Sequence, residues 1–490
     1  MKKIIKQYTI AGLALLSLMT GACVKSAEEW NLDTKNASTV PAYTLFTGAT
    51  KNLVDVITTP ATGTNPFRFY VQYWTMTEYL DMPRYNLDQS TLPQNFWQIV
   101  YKDILADFAE SRKITEADEL LDPVVKQNEL AQIEILSVYA WSILVNTFGN
   151  VPYTEAMNPD NVLPVFDDAH SIYLDLLSRL NTAIGQLDTQ GESFGSADPI
   201  YGGNMGQWVK FANTLKVKLA MVVADSDENL ARQYVGEAYD KGFESNADNA
   251  VFQYMAANPN NNPISGVANP LFTSRQDFVV TSIIVDPMNE LSDPRRSAYF
   301  TTVGGTYRGG DYGFTNVYGN FSTMSTTISD PLLEGVFADY SEFQFNLAEA
   351  AERWGNVGAS AASYYENGIR ASISYWGGSE AATASYLAQP TVAYTSAQGD
   401  YKQKIGMQKW YALYNRGYDA WIEWRRLDYP VLYPPTVSAD GEDFAPSGLS
   451  IPVRLIYPLN EQGLNGDNLA AAASAIGGDL VTTKLFWDIF

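Results

Sequence analysis

The chain of 490 residues carries 55 Asp and Glu against 32 Lys and Arg, a formal net charge of −23, with 46% hydrophobic and 13% aromatic residues. That mixture supplies a large core and excludes disorder as the bulk state, while the acidic excess argues against nucleic acid and against anionic headgroups as partners. One Cys and one His exclude a disulfide framework, cysteine-rich metal centres and H-E-x-x-H chemistry.

Lys2, Lys3 and Lys6 precede an apolar run from Ile10 to Met19. The run has the length of a secretory h-region and is too short to span a bilayer. Thr20-Gly21-Ala22-Cys23 follows and resembles the bacterial lipobox, in which the Cys thiol receives a diacylglycerol and the Cys becomes the first mature residue. Residues 1–22 are thus expected to be a lipoprotein signal peptide, Cys23 the lipidation site and residues 23–40 a polar tether. More than one acyl chain gives stable anchoring. Lys25-Ser26-Ala27-Glu28-Glu29 looks like the surface-export signal of Bacteroidetes lipoproteins.

The rest of the chain reads as mostly helical. Ala42 to Ile57 has helical spacing, and Phe96 to Ile114 sets Phe96, Val100, Ile104 and Phe108 on one apolar stripe. Glu129 to Phe148 repeats the pattern, ended by Gly149-Asn150 with Pro152 beyond. Asp167 is expected to cap a helix from Ala169 to Leu187, with Ile172, Leu176, Leu180 and Ala183 inward. Trp208 to Ala224 pairs with Glu228 to Lys241, with Gly242 as cap. Tyr340 to Trp354 pairs with Ala359 to Tyr375, and Gln403 to Tyr414 with Tyr418 to Arg426. Short connections within each pair are those of antiparallel helix hairpins.

Residues 58–95 and 244–335 differ. They are rich in Gly, Pro, Asn, Ser and Thr with dense aromatics, and a third loop region runs from Tyr429 to Ile451. Irregular stretches of such length inside a compact domain are usually functional.

Several segments, in order, resemble the SusD/RagB family of Bacteroidetes outer-membrane lipoproteins, in its SusD-like branch. They are Phe148-Gly149-Asn150-Val151-Pro152-Tyr153, Trp208-Val209-Lys210-Phe211-Ala212-Asn213-Thr214-Leu215, Asp293-Pro294-Arg295, Asn346-Leu347-Ala348-Glu349-Ala350, Gln408-Lys409-Trp410-Tyr411-Ala412-Leu413, Glu423-Trp424-Arg425-Arg426, Pro452-Val453-Arg454 and Tyr457-Pro458. The resemblance implies a mostly α fold for residues 41–490, a superhelix of tetratricopeptide-like helix pairs with an irregular, loop-rich ligand-binding side at the insertions near 58–95 and 244–335. It also implies an outer-membrane nutrient-binding lipoprotein that captures oligosaccharide for a SusC-like TonB-dependent transporter, with no cofactor. Within these motifs, Glu349, Trp410, Trp421 and Trp424 read as helix and core residues. Arg425 and Arg426 read as partners of acids or carbonyls, and Asp293 as a turn former.

The remaining chemistry is recognition. An aromatic ring stacks on the C–H face of a pyranose while its polar edge bonds hydroxyls, provided core packing has not consumed it. Tyr70, Tyr73, Trp74, Tyr79 and Tyr85 crowd the first loop region, and Phe272, Phe278, Tyr307, Tyr312, Phe314 and Tyr318 the second. From these, Trp74, Tyr79, Tyr85, Tyr307, Tyr312, Phe314 and Tyr318 are the expected stacking residues. Arg308 is expected to bond hydroxyls, with Asn86, Asp88 and Asp311 as further candidates. Glycines flanking Tyr307 and Tyr312 cannot cover their rings. A peptide cargo, as in the RagB branch, is the alternative, and tyrosine density favours sugars. A glycoside hydrolase would need two carboxylates about 5–10 Å apart, and among 55 acids no pair is singled out. His170 reads as an exposed helix residue, and no Walker or EF-hand spacing occurs, so neither catalysis nor a metal is expected.

Overall fold

The computed structural model describes residues 40–87, 90–436 and 449–490. The expectations for the signal segment, for Cys23, for Lys25 to Glu29 and for Asp88 lie outside these residues.

The architecture is mostly helical, built from tetratricopeptide-like helix pairs. The first helix, α1 (Ala42–Thr58), packs on a long helical stretch made of α2 (Leu92–Gln98), a π-helical segment (Ile99–Leu105) and α3 (Ala106–Ala117). The expected continuous stripe is present, since Phe96, Val100, Ile104 and Phe108 are all fully buried. α4 (Pro123–Phe148) starts earlier than its apolar spacing implied. Asp122 accepts from the amides of Val124 and Val125, and Pro123 takes the first-turn position where no amide is needed. Gly149 ends it at φ +88, a left-handed position suited to glycine. α4 is long and apolar enough to cross a membrane by composition, yet its apolar window is covered by neighbouring helices, as in a core helix.

α5 (Ala169–Gln186) follows, and here one expectation is corrected. The cap is Asp168, whose carboxylate accepts from the Ser171 amide at 2.8 Å. Asp167 instead binds the preceding loop, accepting from the amides of Tyr153 and Thr154 at 2.9 and 2.8 Å. α6 (Met205–Val222) pairs with α7 (Glu228–Ala238). Gly242 is a close-approach residue and no cap, because a Cβ there would lie 2.4 Å from the Phe343 ring. After the second loop region come α9 (Tyr340–Trp354) with α10 (Ala361–Tyr375), and α12 (Tyr401–Ala412) with α13 (Gly417–Leu427). Helices of eight or more residues that the apolar spacing did not announce are α8 (Ser282–Glu290), with Pro287 inside it, α11 (Glu380–Leu387) and α14 (Gly466–Ala475), beside four shorter α-helical ones among the described residues.

Charge as well as apolar packing ties the pairs together. Arg426 on α13 grips Glu349 on α9 with two bonds of 2.6 Å, and both side chains are wholly buried. Lys218 on α6 reaches Asp419 on α13 at 2.5 Å and Glu342 on α9 at 3.2 Å. Arg416 joins the same two acids at 2.6 Å each. Burying any one of these charges alone would be costly, and mutual pairing offsets that cost. Arg425 takes the other route: it rests on the Trp421 and Trp487 rings and donates to the carbonyls of Asn146 and Val453. Trp410 and Trp421 are buried, and Trp424 is half-buried with its indole N–H on the Pro430 carbonyl.

Two short antiparallel sheets organise the irregular regions. β1 (Trp74–Met76) pairs with β3 (Phe278–Val280), with Trp74 opposite Val280, so the first loop region is stitched to the second. β2 (Ala250–Phe252) pairs with β4 (Gly335–Ala338), closing the base of the second region.

Candidate ligand-binding surface

The β1–β3 ladder delivers the chain into loop 77–87, and hydrogen bonds continue the pairing outward. The Thr77 amide donates to the Asp277 carbonyl and its hydroxyl to the Gln276 carbonyl, both at 2.8 Å. The Asn316 amide reaches back to the Thr77 carbonyl at 3.2 Å. Loop 311–318 is knotted by Asn316, which accepts from the Asp311 amide and donates to the carbonyls of Asp311 and Phe314. Arg84 crosses between the loops, with Nε on the Gly313 carbonyl at 2.8 Å and its guanidinium 5.6 Å from the centre of the Phe314 ring.

A further segment completes the surface. Residues 429–436 follow α13, and the Gln72 side chain donates to the Tyr433 carbonyl at 2.6 Å and to the Tyr85 hydroxyl at 3.0 Å. Pro435 lies against Gly313, whose φ of +78 and contact with Pro435 leave no room for a side chain. Gln72, Tyr79 and Tyr85 all hold left-handed backbone, with φ of 58, 57 and 57°. Non-glycine residues adopt that region rarely and at a cost, and such positions gather where a surface is shaped for a task.

The outcome is a rigid frame from which two rings project. Tyr79 and Tyr433 are each 73% exposed, on loops whose backbones are bonded into the body. Phe272 and Leu271, on the loop before β3, are also exposed.

The expected stacking residues divide. Tyr79 alone stands on this surface with its ring free. Trp74 is corrected to a core residue: it is wholly buried, its indole N–H donates to the Tyr414 hydroxyl at 3.0 Å, and Arg68 lies 5.2 Å from its ring. Tyr85, Tyr312 and Phe314 are corrected likewise, being buried under the same loops. Tyr312 donates to the Phe69 carbonyl at 2.6 Å, and burial pushes the phenols of Tyr85 and Tyr312 above the ordinary range. Of these, Tyr85 is tied through Gln72 to the segment that carries Tyr433, and its ring centre lies 6.1 Å from that of Tyr312. The flanking glycines have a different purpose from the one expected. A Cβ at Gly309 would fall 2.2 Å from the Ser282 amide nitrogen, so glycine lets the chain lie against α8.

Tyr307 and Arg308 belong to other contacts, while Tyr318 stands at the end of loop 311–318. Tyr307 is half-buried beside Arg296, at 5.3 Å, and lines a cleft of about 310 Å³ with Asp293 and Tyr386. Arg308 is exposed over the Phe321 ring, and Tyr318 is half-buried at the start of a 3-10 turn. Asn86 is engaged with Asp81. Tyr433 was missed by sequence reasoning. Its signal was a ring in Tyr429-Pro430-Val431-Leu432-Tyr433-Pro434-Pro435, where proline forbids the helix that would have buried it.

Among the described residues no group of three or more His, Cys, Asp or Glu is arranged to hold a metal ion. His170, expected to be exposed, is half-buried on α5 beside the Phe486 ring, 3.8 Å from Asp227. Glu349, with three bonds to Arg426 and Arg353, is committed to structure.

The model of the SusD-like family described as starch-binding and associating with the outer membrane matches residues 34–458. Solved structures align over nearly the whole chain. One described as a chitin-binding protein has 25% identity and a TM-score of 0.77, covering 92% of this chain and 100% of its own. A chitin-binding SusD homologue from Flavobacterium johnsoniae has 23% identity and a TM-score of 0.76, covering 91% and 98%. A SusD homologue from Bacteroides uniformis has 23% identity and a TM-score of 0.73, covering 91% and 100%. No curated protein sequence matches.

Proposed function

The chain belongs to the SusD-like family, and on that premise we propose that it is a cell-surface glycan-binding lipoprotein, anchored in the outer membrane through Cys23, that captures oligosaccharide and hands it to a SusC-like TonB-dependent transporter. The observation that carries the reading is the pair of exposed rings, Tyr79 and Tyr433, set on loops bonded into a rigid body. Two flat apolar faces with phenolic edges fit the C–H face and hydroxyl rim of a sugar chain, and a prearranged frame lowers the ordering cost of binding. Chitin binding in the two relatives so described supports a glycan as cargo. The role needs recognition and release, with no bond broken.

Binding isotherms of the mature protein against chitin, starch and other oligosaccharide series, and against a peptide library, test the proposal. A saturable isotherm for at least one oligosaccharide supports it. Binding to peptides alone moves the chain to the peptide-uptake alternative.

A further inference from the structure

A second cleft opens elsewhere on the helical body. One face of α12 forms its floor, and its walls are the end of α8 and the segment 388–398 after α11. The cavity measures about 440 Å³, within the range of small-ligand sites. None of its lining residues comes from loops 77–87, 269–277, 311–318 or 429–436.

Its floor carries unspent polar groups. Tyr411 is only 1% exposed, and among the described residues nothing hydrogen-bonds its hydroxyl, although its carbonyl accepts from Tyr299. Gln408 stands one turn earlier on the same helix face and is 3% exposed. Its Oε1 accepts from the Tyr386 hydroxyl at 3.0 Å, which leaves its amide N–H groups without a protein acceptor among the described residues. Both residues are buried by their neighbours, yet the Tyr411 hydroxyl and the Gln408 amide N–H groups open on the cleft, where they can donate to a ligand's oxygens. Leu291 and Met407 supply apolar wall, while Glu290 and Lys404 stand on the rim with opposite charge.

We propose that this cleft is a second saccharide site that takes a neutral mono- or disaccharide unit. A pyranose offers an apolar face to Leu291 and Met407, and acceptor oxygens to Tyr411 and Gln408. The paired rim charges bond hydroxyls without favouring either sign of ligand. The site goes beyond the loop surface and does not need it.

The test uses the full mature chain carrying Tyr79→Ala and Tyr433→Ala, probed with maltose and with the N-acetylglucosamine disaccharide by saturation-transfer NMR and calorimetry. At least one disaccharide is expected to bind in this background. Tyr411→Phe is expected to weaken it by about threefold to tenfold, as loss of one hydrogen bond does. Thr391→Trp, on the exposed cleft wall, is expected to abolish it, and it serves should Tyr411→Phe fold poorly. Neither change should alter oligosaccharide binding at the loop surface in the otherwise unmodified chain. Absence of disaccharide binding in the Tyr79/Tyr433 background overturns the proposal, as does binding insensitive to Thr391→Trp. If Tyr79 and Tyr433 prove irrelevant to glycan affinity, the loop-surface reading fails while the cleft is still judged on Tyr411 and Thr391.

Discussion

Gln72, wholly buried, holds Tyr433 in place from a distant part of the chain: its Nε2 donates to the Tyr433 carbonyl at 2.6 Å. The same nitrogen donates to the Tyr85 hydroxyl, so one amide couples a buried support to an exposed ring. Gln72→Leu removes both bonds. It should lower stability by about 1–3 kcal/mol, because the partners are left partly unsatisfied. Glycan affinity should also fall, since Tyr433 loses its anchor. Thermal melts and calorimetry on the same variant check the two effects separately.

Trp74 and Tyr79 lie five residues apart with opposite duties. Trp74→Ala empties a core site and should cost about 3–5 kcal/mol of folding stability. At a temperature where this variant is still folded, its glycan affinity should match that of the unmodified protein. Denaturant melts paired with binding isotherms read the difference. A binding loss without a stability loss would return Trp74 to the ligand surface.

The buried ion pairs make stability depend on acid. Burial alone would raise the Glu349 carboxyl, but Arg426 and Arg353 overcome it and hold the group down from 4.5 to about 2. The folded value lies below the unfolded one. The stabilisation is therefore complete above about 4.5 and is lost as pH falls toward about 2. Glu349→Gln leaves Arg426 with Glu423, at 2.6 Å, as its remaining carboxylate and should cost about 1–3 kcal/mol at neutral pH. Urea melts at a series of pH values should show the gap between the two proteins narrowing across that window. A constant gap would mean the carboxyl is not depressed.

Gly313→Ala tests the joint between two loops. Its φ of +78 is unfavourable for alanine, and the new methyl would meet Pro435 at about 2.5 Å. The change should loosen segment 429–436, detectable as faster amide exchange there, with glycan affinity reduced and the helical signal unchanged.

The helix pairs were legible because a period of 3.6 writes burial directly into the chain. α1, α9 and α13 lie within a residue or so of their apolar stripes. Glu349 was readable as a structural acid from its place among alanines on such a stripe. The loop side was not legible in the same way. Trp74 looks like a free ring in a glycine- and proline-rich stretch, and only its pairing with Val280, far along the chain, reveals that it is covered. The glycines beside Tyr312 look like openness in the sequence, yet Gly313 is there because a side chain would collide with Pro435. Tyr433 carried no periodic signal at all, because its exposure follows from prolines and from an amide donated by Gln72.

Calorimetric titration of one bound oligosaccharide into the unmodified protein and into the Tyr79→Ala, Tyr433→Ala double variant tests the central claim most directly. Each ring should be worth about 1–3 kcal/mol, so the double variant should bind at least tenfold more weakly at an unchanged melting temperature. Equal affinity in the two proteins would contradict the account.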